Sequence, residues 1–276
     1  FELLYWIPFL NWAKTQFNLR DDRLLVVSRG GASSWYRHLA GAYQDVFDFF
    51  TPDEFRVRNE SRIAVQGGKQ KHVMLTEFDQ EIVERVRQAA GLDGVEVLHP
   101  SLMYNLFRMF WRLHASVGLV QGYTLHRHMR PPELGELAAH VPAEYIAVKF
   151  YSNNGFPDTP QNRAFIAACL KRVTEEHDVL LLNTGVRFDD HDDFPASRRE
   201  RIHTVDHLMT PRNNLDIQTR IISHARAFLG TYGGFSYLAP LCGVDTVAFF
   251  SDASGFRMDH LEIAKRVFGE LRTGAF

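Results

Sequence analysis

Residues 227–241 read AFLGTYGGFSYLAPL. A short apolar run is followed by a turn carrying Thr231, Gly233, Gly234 and Ser236, and then by an apolar segment of helical character. That order spells a strand handing over to a helix. Such a turn has two readings. It can be a tight connection and nothing more, or it can bare backbone N–H groups at a helix N-terminus, where an anion can sit. Gly233 and Gly234 carry no Cβ, so the backbone there can come close to another group.

The same unit repeats on both sides of this stretch. EYIAVKFY (144–151) predicts a strand, and PQNRAFIAACLKRVTEEH (160–177) a helix with Pro160 at its start. DVLLLNTG (178–185) and RIHTV (201–205) predict strands, NLDIQTRIISHA (214–225) a helix, VDTVAFFSD (244–252) a strand, and DHLEIAKRVFGELR (259–272) a closing helix. Strands alternating with helices at this spacing predict parallel βαβ units and a doubly wound sheet of about five strands. FSYLAPLCG is expected to be a short helix in spite of Pro240.

Toward the N-terminus the pattern is looser. FELLYWIPFLNWAKTQF (1–17) looks like the inside of an amphipathic helix, and in a βαβ protein a strand and a turn are expected to precede it. DRLLVVSRGG (22–31) predicts a buried strand, RIAV (62–65) and VEVLHP (95–100) two further strands, and QGGKQKH (66–72) a surface turn. FDQEIVERVRQAAGL (78–92) and SLMYNLFRMFWRLHASVGL (101–119) predict helices, the first closed by Gly91. Pro131, Pro132, Gly135 and Pro142 interrupt the chain between the halves. The expected domains are therefore 1–135 and 136–276, both α/β.

Hydrophobic residues make up 45% and charged residues 23% of the 276, a balance that describes a folded chain and not a disordered one. The net charge of −2 supplies no global basic field, so nucleic acid is not an expected partner. Cys169 and Cys242 are the two cysteines. They form no metal-binding spacing and no disulfide framework, which fits a reducing, cytoplasmic compartment. No apolar run reaches the roughly 20 residues of a membrane span, and no signal peptide is evident.

In open parallel sheets, ligands bind outside the carboxyl ends of the strands. That rule selects four loops: YSNNGFPDTP (151–160), NTGVRFDDHDDF (183–194), TYGGFS (231–236) and SDASGFRMDH (251–260). A pyrophosphate would fit TYGGFS, with Thr231 and Ser236 as hydroxyl donors. Lys149, in an apolar strand near its carboxyl end, either reaches solvent or points at an anion in the site, and the adjoining Ser152, Asn153 and Asn154 favour the anion. Asp189, Asp190, His191, Asp192 and Asp193 read as a metal-binding cluster or as a solvated charged loop; no second ligand cluster accompanies them, which favours the loop. Arg29 with Gly30 and Gly31 ends a first-half strand, where it could hold an acceptor or a sugar acid, or serve as a salt-bridge partner. His99, His114, His126, His128 and His177 are scattered and read as structural. The aromatic residues of 1–12 and 106–113 pack a core or form a peripheral membrane face.

Taken together, FELLYWIPFLNW, AVKFYSNNGFPDTPQNRAF, LLNTGVRFDDHDDF and AFLGTYGGFSYLAPLCGVDTVAFFSD resemble GT-B glycosyltransferases of bacterial surface-polysaccharide assembly, with a heptosyltransferase-like layout. In heptosyltransferases the corresponding turn reads Asp-Thr-Gly and contacts the donor phosphate. Here Gly230, Thr231, Tyr232, Gly233 and Gly234 hold that place, and the Asp is absent. The resemblance implies two Rossmann-like domains facing each other across a cleft, the acceptor on the first and a nucleotide-sugar on the second. It implies a metal-independent transferase without a cofactor, acting in the cytoplasm or at the inner face of the membrane on a glycan or lipid-linked acceptor. Lys149 and Arg29 are the catalytic candidates. Ser152, Asn153, Asn154, Thr184, Gly185, Thr231, Tyr232, Gly233, Gly234 and Ser236 are the donor-binding ones. The catalytic base of such enzymes often follows the first N-terminal strand, which here would precede Phe1. Two other readings fit the architecture: a nucleotide-sugar 2-epimerase-like enzyme, and a non-catalytic module that binds nucleotide-sugar or glycan.

Overall fold

The structure is a computed structural model that describes residues 1–68, 72–185, 192–195, 200–272 and 274–276. The chain divides into two compact units. One comprises Phe1, Leu3 and His126–Phe276, the other Glu2 and Leu4–Leu125.

The C-terminal unit is built on five parallel strands: β3 (Ile146–Lys149), β4 (Val179–Leu181), β5 (Ile202–Thr204), β6 (Ala227–Thr231) and β7 (Asp245–Phe249). Their spatial order is β5-β4-β3-β6-β7. The chain thus runs outward from β3 in one direction, then returns to lay β6 against the other side of β3. This is the Rossmann-like order, and its reversal point falls between β3 and β6. Register there pairs Lys149 with Gly230, so the ends of the two strands lie side by side.

Alternation along β3 divides its side chains between two faces. Ile146, Val148 and Phe150 join Phe156, Ile166, Leu170, Val179, Leu181 and Phe194 in a buried cluster. Each such side chain contributes about 1.5–3 kcal/mol by leaving water. Ile166 and Leu170 come from α7 (Pro160–Thr174), which Thr159 caps by accepting from the Asn162 amide. On the other face Ala147, Lys149 and Tyr151 alternate, and the Lys149 ammonium lies 5.7 Å from the ring centre of Phe235 in α9 (Gly234–Leu241). Helix α8 (Asn214–His224) leads into β6, and α10 (Met258–Leu271) follows β7. As expected, α9 forms in spite of Pro240.

The N-terminal unit holds a two-stranded parallel sheet, β1 (Leu25–Ser28) and β2 (Ala42–Asp45), with helices α1 (Ile7–Gln16), α2 (Ser33–Tyr36), α3 (Pro52–Val65), α4 (Glu77–Ala89), α5 (Pro100–Trp111) and α6 (Gly118–Gly122). A π-helical turn over Glu2–Trp6 precedes α1. In its core Trp111 packs edge to face on Tyr5 and Phe107, as Phe9 does on Phe107, while Tyr5 and Phe107 are tilted. Two expected strands are absent. RIAV is the last turn of α3, because Thr51 and Glu54 form a reciprocal capping box and Pro52 sets the first turn. VEVLHP pairs with no strand among the described residues, and Val95 and Val97 are exposed. No described helix is long and apolar enough to cross a membrane.

Candidate functional site

The point where the strand order reverses brings the end of β3, with residues 150–156, beside the end of β6, with residues 232–236. Two further segments complete the setting. Residues 192–194 return along the extension of β3: the Ser152 amide donates to Asp192 O (2.8 Å) and the Phe194 amide to Phe150 O (3.1 Å). The loop after β7 folds onto 154–155, with the amides of Ser251 and Asp252 donating to Gly155 O at 2.8 and 3.0 Å. Gly255 is required there, since a Cβ would come within 1.9 Å of Asn154 O.

Lys149 does find an anion, and the protein itself supplies it. Its ammonium donates to Leu182 O at 2.8 Å and pairs with Asp193 Oδ1 at 2.7 Å. The lysine is buried, at 5% exposure. The other oxygen of Asp193 accepts from the Thr184 amide (2.8 Å) and from its hydroxyl (3.4 Å). One member of the acidic loop is therefore an internal counterion. Asp189, Asp190 and His191 lie outside the described residues.

Several side chains expected to face a ligand are committed elsewhere. The Thr231 hydroxyl accepts from the Tyr151 amide (3.0 Å) and donates to Tyr151 O (2.8 Å), so it extends the β3–β6 pairing by one side-chain step. Ser236 donates to Gly233 O (2.8 Å) and accepts from the Gly233 amide (3.0 Å), closing the first turn of α9 on itself. Both are fully buried. Asn153 Oδ1 accepts from the amides of Gly155 and Phe156, each at 2.8 Å, forming the 153–156 turn. These residues are short and polar because they replace missing backbone partners where the ladder ends.

Gly233 is also explained internally. A Cβ at that position would lie 2.0 Å from the Tyr151 hydroxyl. What approaches this glycine is a phenol of the same chain. Tyr232 turns its ring onto Phe256, with centroids 4.7 Å apart, and burial pushes its phenol up to about 12. Its amide extends the ladder by donating to Phe249 O. Gly234 has nothing within 4 Å of the position a Cβ would take, and Asn154 and Gly185 are exposed. The surfaces open at this edge are thus Gly234, Asn154, Gly185 and the half-buried Ser152 and Thr184. The amides of Gly234 and Phe235 open the first turn of α9, where a helix has no acceptor of its own to offer.

Arg29 belongs to the N-terminal unit, just after β1, with its guanidinium 5.5 Å from the ring centre of Phe55. The Gly30-Gly31 turn beside it is left-handed and is held by Asp45, which accepts from the Gly31 amide (2.8 Å) and the Tyr43 hydroxyl (3.0 Å). Glu2, which sequence reasoning passed over, accepts from the Ser28 hydroxyl (3.0 Å) and from the Tyr36 hydroxyl. Burial, and then the Glu2 charge, raise the Tyr36 phenol well above its ordinary value. Nothing in ELLYW marks Glu2 except its being a lone carboxylate in an apolar run.

No family model matches the chain, and no curated protein matches it. Among the solved structures similar to the chain are three glycosyltransferases, all at low scores. KpsC of Thermosulfurimonas dismutans, a beta Kdo 2,4 transferase, is 12% identical over 62% of this chain and 56% of its own, with a TM-score of 0.31. The glycosyltransferase SnogD from Streptomyces nogalater is 12% identical over 97% of this chain and 62% of its own, with a TM-score of 0.36. TibC, an iron-containing dodecameric glycosyltransferase from enterotoxigenic E. coli H10407, is 14% identical over 89% and 56%, with a TM-score of 0.36. The chain spans less than two thirds of the length of each. Scores of this size transfer no residue role or activity.

Proposed function

We propose that the protein is a glycosyltransferase of the GT-B type, with the donor nucleotide-sugar bound by 136–276 and the acceptor by 1–135. One observation carries this reading. The reversal point of a Rossmann-like sheet is lined by small polar loops from β3, β4, β6 and β7 and by the first turn of α9. That is the place where such sheets receive nucleotides. The acceptor is a glycan or a lipid-linked sugar in surface-polysaccharide assembly, and the setting is cytoplasmic or at the inner face of the membrane.

The internal bonds redistribute the roles. The donor diphosphate lies against the amides of Gly234 and Phe235, where the partial positive charge of the helix end meets charge growing on the leaving phosphate. Ser152, Asn154, Thr184 and Gly185 border the nucleoside and sugar. Lys149 acts at one remove: by holding Asp193, and through it Thr184, it fixes the rim of the site. Arg29 remains the acceptor-side cation. The diphosphate needs no metal in this arrangement, because the helix end supplies the positive field.

The test is binding by the whole chain. UDP, GDP, ADP, CMP and dTDP are titrated by calorimetry and by thermal shift, with and without Mg2+. One nucleotide is expected to bind at a single site and to raise the melting temperature, as any ligand of the folded state alone must. Gly234→Asp, which places a carboxylate at the open first turn, is expected to abolish that binding without changing the fold. No saturable binding by any of the five overturns the proposal. Binding followed by sugar transfer to a glycan acceptor separates this reading from an epimerase or a binding module.

A further inference from the structure

In the N-terminal unit, three side chains that are distant in sequence converge. His72 Nδ1 lies 3.4 Å from Asp79 Oδ1, and His99 Nε2 lies 3.7 Å from the same oxygen. All three atoms fall within 4.8 Å of one another. Both spacings are long for charge-assisted hydrogen bonds, which run to about 2.9 Å. Neither ring nitrogen has a hydrogen-bond partner among the described residues, although both are buried atoms.

The spacing suits an object between them. Ligand atoms about 2.0–2.1 Å from a tetrahedral metal stand roughly 3.3 Å apart. We propose that His72 Nδ1, Asp79 Oδ1 and His99 Nε2 bind a divalent zinc ion. Two imidazoles and one carboxylate are a donor set for a first-row transition metal, unlike the all-oxygen shells of Mg2+ and Ca2+. Three protein ligands leave one position for water or a substrate oxygen.

The surroundings hold each ligand in place. Asp79 Oδ2 accepts from the Thr76 amide (2.8 Å) and hydroxyl (2.6 Å), which leaves Oδ1 turned to the histidines. His99 caps α5, and its Nδ1 lies 2.9 Å from the Ser101 hydroxyl. In this structure Nδ1 also accepts from the Ser101 amide (3.3 Å); with a metal on Nε2 it would instead carry the proton and donate it to the Ser101 hydroxyl, the orienting contact metal-bound histidines ordinarily make. The His72 segment is tied down by Gln66, whose side-chain oxygen accepts from the amides of Val73 (2.9 Å) and Met74 (3.4 Å). The His72 side chain is 41% exposed against 7% for Asp79, so the ion has a route to solvent. Burial lowers the Arg62 guanidinium nearby, and the Asp79 charge opposes that.

The experiment is calorimetric titration of the EDTA-treated, dialysed whole chain with ZnCl2, with metal content measured after gel filtration. One zinc per chain is expected, with a rise in melting temperature that EDTA reverses. His72→Ala and His99→Asn are expected to weaken binding at least about a hundredfold. His99→Asn keeps a helix-capping side chain, and His72→Ala removes a partly exposed one, so both are expected to melt in EDTA where the parent chain does. Cobalt is expected to give the visible absorption of a low-symmetry site in the parent chain only. Substoichiometric zinc, equal binding of Mg2+, or zinc binding that survives both substitutions overturns the proposal.

Discussion

At Lys149 and Asp193 the two partners of one ion pair have unequal escape routes. The lysine side chain is 6% exposed and the aspartate side chain 20%. Removing Asp193 takes the counterion from a buried ammonium, whereas removing Lys149 leaves a carboxylate that still accepts from Thr184 and touches water. Asp193→Ala is therefore expected to cost about 3–5 kcal/mol, the range for an uncompensated buried charge. Lys149→Met is expected to cost about 1–3 kcal/mol, closer to an unpaired hydrogen-bonding group. Urea denaturation of both variants measures the order; equal losses, or a larger loss for Lys149→Met, would show that the pair is not buried as described. The lysine in an apolar strand was legible as a residue in search of an anion. Its partner was not, because Asp193 sits 44 positions away in a loop that reads as solvated charge. Gly233 teaches the same lesson. A sequence shows that a backbone must be approached closely, and only the packing shows that Tyr151 is what approaches.

Elements whose ends are written in the sequence were the legible ones. Helix α9 closes with a Gly243 in the left-handed region (φ 84°), the Val244 amide donating to Ala239 O (2.9 Å) and the Gly243 amide to Pro240 O (3.0 Å). That double closure satisfies carbonyls the helix would otherwise leave open. Gly243→Ala has open space for its methyl, so the expected loss of about 1–2 kcal/mol comes from backbone conformation alone. Thermal or urea unfolding checks it, and a neutral substitution would remove the left-handed closure from the account of α9. RIAV and VEVLHP misled for a different reason. Three apolar residues in a short run satisfy a strand pattern, but the first is overruled by the capping box at Thr51, eleven residues upstream, and the second pairs with no strand among the described residues.

Across the whole molecule, the phenols form a set with a common direction. Burial raises Tyr36, Tyr43 and Tyr104 in one unit and Tyr145 and Tyr232 in the other above the ordinary 10.0, and it pushes the Cys242 thiol up to about 12. Glu2 adds to this at Tyr36, Tyr43 and Tyr104, and Asp45 at Tyr43. The folded chain therefore keeps protons that the unfolded chain releases. Stability falls with pH wherever the native state binds more protons. Below the ordinary thiol value of 9.0 both states are protonated at these groups and the contribution is flat. Above it the unfolded chain gains, first through Cys242 and then, near 10.0, through five phenols at once. Alkaline unfolding is thus expected to be steep, with tyrosinate absorbance from these phenols rising together with the loss of circular dichroism. The thiol of Cys242 is expected to stay unreactive toward alkylation until that transition. Tyrosinate appearing gradually around pH 10, with the native dichroism intact, would mean that these rings reach water in the folded protein.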